Sequence, residues 1–151
     1  MLVDSDDLVS RNLAQYCLDH PDENGFISAY GWRWVEGSSF VRKMRNLYRT
    51  CGSCTIVNWD VSDLPDAMPA DFYNQERDKY LICGNHRYIP QNLEQKGRKL
   101  AELPFPSTVY VQGTGENHSI LSGNVLSWKR RCELALQVPK RKKQISEEFS
   151  F

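Results

Sequence analysis

Apolar positions recur at two different periods along this chain. Near the start, Leu8 or Val9, Leu13, Tyr16 and Cys17 follow at three-to-four spacing behind acidic residues, which predicts a first helix ended by Pro21 and Gly25. In the next segment, "GFISAYGWRWVEG", the period shortens. Trp32 and Trp34 flank Arg33 there as they would on a half-buried strand. Ser38 or Ser39 then caps a second predicted helix. On it Phe40 or Val41, Met44, Leu47 and Tyr48 face the core, while Arg42, Arg45 and Arg49 lie on the opposite side.

Beyond that helix the pattern turns strand-like. "TIVNWDV" reads as a strand, "SDLPDAMPADFYNQERD" as a loop without periodicity, and "KYLIC" as a short strand that ends on Cys83. After Pro90, "QNLEQKGRKLAEL" predicts a short polar helix interrupted by Gly97. "STVYVQGTGENHSILSG" has the form of a hairpin with Gly113 and Gly115 in its turn, and Cys132, Leu134, Leu136 and Val138 alternate as on a strand. The polar "PKRKKQISEEFSF" reads as a flexible basic and aromatic tail. The expectation is one small α+β domain over residues 1–138, with N-terminal helices and a β-rich second half, followed by a tail at 139–151.

Composition narrows the class. The chain has 151 residues, 40% hydrophobic and 25% charged, as in an ordinary soluble globule. It has no apolar run of membrane-spanning length, and its acidic start lacks the features of a signal peptide, so no membrane partner and an intracellular setting are expected. In a reducing compartment five cysteines, an odd number, point to ligands, catalytic groups or core residues rather than a disulfide framework. The zero formal charge conceals an asymmetry. Residues 1–75 hold 6 Lys/Arg against 11 Asp/Glu and residues 76–151 hold 13 against 8, net −5 and +5.

The spacing of Cys51 and Cys54 gives a C-x2-C pair, and after 28 intervening residues Cys83 and His86 form a C-x2-H pair. Two residues between ligands let a tight turn aim both side chains at one tetrahedral ion, and each pair carries a glycine that eases the turn. Cys51, Cys54, Cys83 and His86 would close a structural zinc shell with no open position for substrate. The competing explanations are buried thiols serving as small hydrophobes and a redox pair. The latter fits poorly after a predicted helix C-terminus, where no positive dipole end lowers a thiol pKa. Cys17 and His20 repeat the spacing, but Cys17 also lies on the apolar stripe of the first helix, and Cys132 alternates with leucines as a core residue.

Enzyme signatures are incomplete. "QGTGENHS" contains G-x-G without the rest of a phosphate loop, and His118 beside Glu116 has no nucleophile with a local signature. The H-x-E element of zinc deaminases does not precede the knuckles. The basic segments say more. Lys140, Arg141, Lys142 and Lys143 form a cluster of the nuclear-import kind, with Lys129, Arg130 and Arg131 upstream, and either could contact phosphates. Trp128, next to that upstream cluster, is the candidate for base stacking. Ile145, Phe149 and Phe151 would share an apolar face if the tail folded on a protein partner.

These features predict a nuclear, zinc-stabilised factor without catalytic activity that binds nucleic acid or a nucleoprotein complex. Arg42, Arg45 and Arg49 would add to its basic surface. The alternatives are a viral or regulatory protein-interaction adaptor that docks through its acidic half and Phe-containing tail, and a Cys/His enzyme; the alternative location is the cytoplasm.

Overall fold

A computed structural model of the chain describes residues 3–21, 23–63, 85–113 and 139–151. Within them the protein is a small α+β domain, mostly strands, with two short helices. In chain order these are β1 (Leu8–Val9), α1 (Leu13–Asp19), β2 (Gly25–Ile27), β3 (Tyr30–Val35), β4 (Phe40–Arg45), β5 (Thr55–Val57), α2 (Ile89–Gln95), β6 (Ala101–Glu102), β7 (Thr108–Gln112) and β8 (Lys140–Arg141). One sheet has the order β1-β7-β3-β4-β8, with β3 and β7 parallel and the other pairs antiparallel. A three-stranded sheet has the order β5-β2-β6. No helix among the described residues is long and apolar enough to cross a membrane.

The expected concentration of helix at the N-terminus is corrected on two counts. The first helix begins only at Leu13, because Leu8 and Val9 pair with Val109 and Thr108 of β7 instead. The second predicted helix is a strand, β4, followed by a 3-10 turn at Leu47–Arg49. Its three-to-four spacing fits either structure, but the turn at 36–39 decides the outcome. Gly37 adopts φ +79° there and folds the chain back, so that Trp34 opposes Val41 and Trp32 opposes Lys43. Strand geometry then sends Val41 and Met44 to opposite faces.

Each face of the five-stranded sheet is covered. Trp32, Val41, Val109 and Val111 form one core with Ile145 and Phe149, while Met44 and Tyr110 pack on the other side with Leu47, Cys51 and Cys54. Close approach of Leu47 requires Gly31, where a Cβ would lie 2.5 Å from Leu47 Cδ2 and 2.7 Å from the Thr108 carbonyl oxygen. The segment expected to be a flexible tail therefore belongs to the fold. β8 pairs with β4, and Ile145 and Phe149 are core residues because the Trp32 face would otherwise lie open.

The second sheet packs α2 through Ile89 and Leu93 against Val57 and Leu100, and α1 through Leu13 against Phe26 and Leu103. Cys17 packs against this latter cluster, in keeping with its place on the apolar stripe. Gly97, at φ +74°, follows the end of α2, and the helix expected to continue beyond it does not, because Ala101 and Glu102 pair with β2 as β6. Arg98 ties the following turn to the first half of the chain, donating Nη1 to Asp63 Oδ2 at 2.6 Å and Nη2 to the Asn58 carbonyl. The strands expected at 79–83 and 132–138, most of the loop expected at 62–78 and the return arm of the predicted hairpin lie outside the described residues.

Candidate functional site

Two places in the domain gather the residues singled out by the sequence. The first is a thiol pocket beneath the five-stranded sheet. A turn at Gly52–Cys54 points both cysteines inward, and Cys54 Sγ lies 3.4 Å from Cys51 Sγ. Cys51 donates to Asp7 Oδ2 at 2.9 Å, and Ser53 Oγ donates to the same oxygen at 2.7 Å. The other oxygen of Asp7 accepts from the Val111 amide at 3.3 Å. Burial pushes the Asp7 carboxyl above the usual range, against the opposing effect of these hydrogen bonds.

The Cys51 thiol is pushed far above the ordinary thiol range, first by its hydrogen bond with Cys54, then by burial and by the nearby Cys54 and Asp7 charges. Such a thiol is a poor nucleophile at neutral pH. His86 lies against the backbone of Gly52, where an added Cβ would be 3.8 Å from its ring. Burial and the Arg87 charge hold its pKa below the usual value, opposed by Asp4 and a hydrogen bond to the Arg49 backbone. Its Nε2 is buried with no hydrogen-bond partner among the described residues.

Of the four predicted zinc ligands, Cys51 and Cys54 lie side by side, His86 packs against the backbone of Gly52 between them, and Cys83 lies outside the described residues. The spacing of the two sulfurs is close to the roughly 3.8 Å expected of two thiolates on a tetrahedral zinc with bonds of about 2.3 Å. Among the described residues no group of three or more His, Cys, Asp or Glu side chains is placed to hold a metal ion. Asp7 and Ser53 carried no local signal in the sequence. Asp7 reaches the pocket only because β1 pairs with β7.

The second place is an open hollow of about 870 Å3 at the edge of the same sheet, lined by Trp34, the turn at 37–39, Phe40, Arg141, Lys142, Lys143, Ser146 and Phe151. β8 brings it together: Arg141 opposes Phe40, and Lys140 opposes Val41. Lys142 Nζ lies over the Trp34 and Phe151 rings, and Lys140 Nζ is 5.1 Å from the centroid of Trp32. Among the described residues no Asp or Glu lines the hollow.

Of the predicted basic surface, Arg141 to Lys143 therefore border exposed and half-buried aromatic rings, and Lys140 lies over the buried Trp32. Arg42, Arg45 and Arg49 do not form the single helical face expected of them. Arg42 and Arg45 are three residues apart on a strand and project from opposite faces, and Arg49 follows in the turn beside Tyr48. Trp128, Lys129, Arg130 and Arg131 lie outside the described residues. Ile145 and Phe149 are buried, leaving Phe151 as the accessible member of the predicted docking set. Of the two alternatives that spacing offered for the core, Val41 is buried and Phe40 is one of the exposed rings.

No family model, no curated protein and no solved structure matches the chain.

Proposed function

We propose that this protein is a nuclear, non-enzymatic factor that binds nucleic acid, alone or within a nucleoprotein complex, through the Lys140–Lys143 edge. The observation that carries this reading is the hollow at the sheet edge, where three cationic side chains border the rings of Trp34, Phe40 and Phe151. Phosphates are held by such cations with release of counterions, and aromatic rings add contacts to bases. Zinc held by Cys51, Cys54, Cys83 and His86 would fix the fold beneath the sheet. The adjacent sulfurs and the unpartnered Nε2 of His86 support that assignment.

The test is binding of labelled DNA and RNA, single- and double-stranded, by the purified chain at about 50 mM salt, with elemental analysis of the same preparation. Binding that weakens steeply with salt and is lost in a Lys140→Glu/Lys143→Glu variant supports the reading. Absence of binding to every nucleic acid would sink it. Zinc near one equivalent per chain supports the metal assignment separately.

A further inference from the structure

The hollow differs from a simple basic strip in offering flat apolar surface beside the charge. Phe40 is 47% exposed and Phe151 is 40% exposed, and both line it. Phe151 is not a loose side chain. Its ring meets Trp34 edge-on, with centroids 5.3 Å apart, and Lys142 Nζ lies 4.5 Å from its centre. Ser39 adds a hydroxyl to the lining, while the hydroxyls of Ser38 and Ser146 bond the backbone of Phe40 and Lys143 and fix the two turns that frame it. Its volume falls within the range of small-molecule and nucleotide sites.

We propose that this hollow binds single-stranded nucleic acid, with an unstacked base lying on Phe40 or Phe151 and the adjoining phosphates held by Arg141, Lys142 and Lys143. The inference rests on the nucleic-acid reading above and names its substrate class. A duplex keeps its base faces stacked internally and has none to place on these rings, whereas every base in a single strand presents a π-face. An acidic peptide would match the cations but leave both rings without a flat partner. Direct opposition of Phe40 and Arg141 across β4 and β8 puts a stacking surface and a phosphate-binding group at one register position. Trp34 has a different part, since Lys142 and Phe151 already occupy its surroundings and its Nε1 donates to the Ser38 carbonyl at 2.8 Å. It positions the turn and the two side chains that do the binding.

The experiment is fluorescence anisotropy of the full chain with a labelled oligouridylate or oligothymidylate of about twelve nucleotides, a length within known single-strand site sizes. A duplex of equal length is the second probe, and polyphosphate and polyglutamate serve as competitors. The expected result is preference for the single strand. Phe40→Ala and Phe151→Ala should each weaken it about tenfold with little change in the salt slope. Lys143→Ala should instead reduce the slope by about 0.7. All three side chains are exposed, and thermal unfolding of each variant checks that the fold is intact. Single-strand binding that is insensitive to both phenylalanine substitutions would overturn this inference while leaving nucleic-acid binding in place. Equal duplex binding, or equal displacement by polyphosphate or polyglutamate, would overturn it as well. Failure of every nucleic acid to bind would remove the broader reading too.

Discussion

The ammonium of Lys142 stands 4.2 Å over the centroid of the Trp34 ring, joining the basic segment of the second half to the tryptophan strand of the first. One side chain thereby contributes both to the charge of the hollow and to the attachment of residues 139–151. The attachment is chiefly hydrophobic, however, because Ile145 and Phe149 complete the core above Trp32 and Val41.

Phe149→Ala should therefore destabilise the protein by about 3–5 kcal/mol, the cost of emptying a fully buried aromatic site. Phe151→Ala, at an exposed ring, should cost less than about 1 kcal/mol. Urea unfolding of the two variants checks the contrast. Equal small effects would mean that residues 139–151 do not contribute to the core.

Asp63 gives a pH dependence of known sign. Its burial acts to raise the pKa, but the hydrogen bond and charge of Arg98, with the Asp60 amide and Lys96, outweigh burial and hold it below the ordinary 3.8. A carboxyl depressed on folding contributes stability above its unfolded pKa and loses it as pH falls through the folded one. Stability should thus decline on acidification below about pH 4, and Asp63→Asn should remove that part of the decline. At neutral pH the substitution should cost about 2 kcal/mol. Denaturant midpoints measured from pH 7 down to about pH 2.5 provide the check.

Gly31→Ala tests the packing of the Leu47–Arg49 turn, which leads into the thiols. The new methyl would overlap Leu47 Cδ2 and the Thr108 carbonyl, and backbone cannot yield as a side-chain tip can. A loss of about 1–3 kcal/mol is expected in thermal or urea unfolding. Gly37→Ala meets no atom within 4 Å, so its cost should come from backbone conformation alone, about 1 kcal/mol.

Metal removal separates a zinc shell from plain thiol packing. A strong chelator should lower the unfolding temperature of the wild-type chain if zinc ties the two knuckles together. Cys54→Ser should abolish both the bound zinc and the chelator's effect. An unfolding temperature indifferent to chelator in metal-free buffer would assign Cys51 and Cys54 to the core alone.

Local patterning revealed those elements whose neighbours are close in sequence. Trp32 and Trp34 on β3, the Thr55–Val57 strand, and the helix before Gly97 all carried their own signals. β4 carries a helical signal because Phe40, Val41, Met44 and Leu47 satisfy a helical period, and the partner that makes them a strand lies on the far side of a turn. The burial of Phe149 was equally hidden. Its segment is polar, and the surface it covers comes from Trp32, Val41 and Val109 in distant parts of the chain. For the candidate site, the cysteine spacing identified the thiol pocket and the lysine cluster identified one wall of the hollow. Asp7, Phe40 and the Trp34 wall became visible only through strand register.

That register has a consequence for the charge imbalance along the chain. The acidic half supplies β1, β3 and β4 of the larger sheet, and the basic half supplies β7 and β8 between and beside them. In the smaller sheet β6 of the basic half lies beside β2 of the acidic half. The molecule is thus shuffled like a deck cut into two suits. Neither suit assembles a complete sheet alone, and charge does not draw them together: β8, with Lys140 and Arg141, pairs with β4, which carries Arg42, Lys43 and Arg45, so burial of Ile145 and Phe149 has to hold the two halves in place.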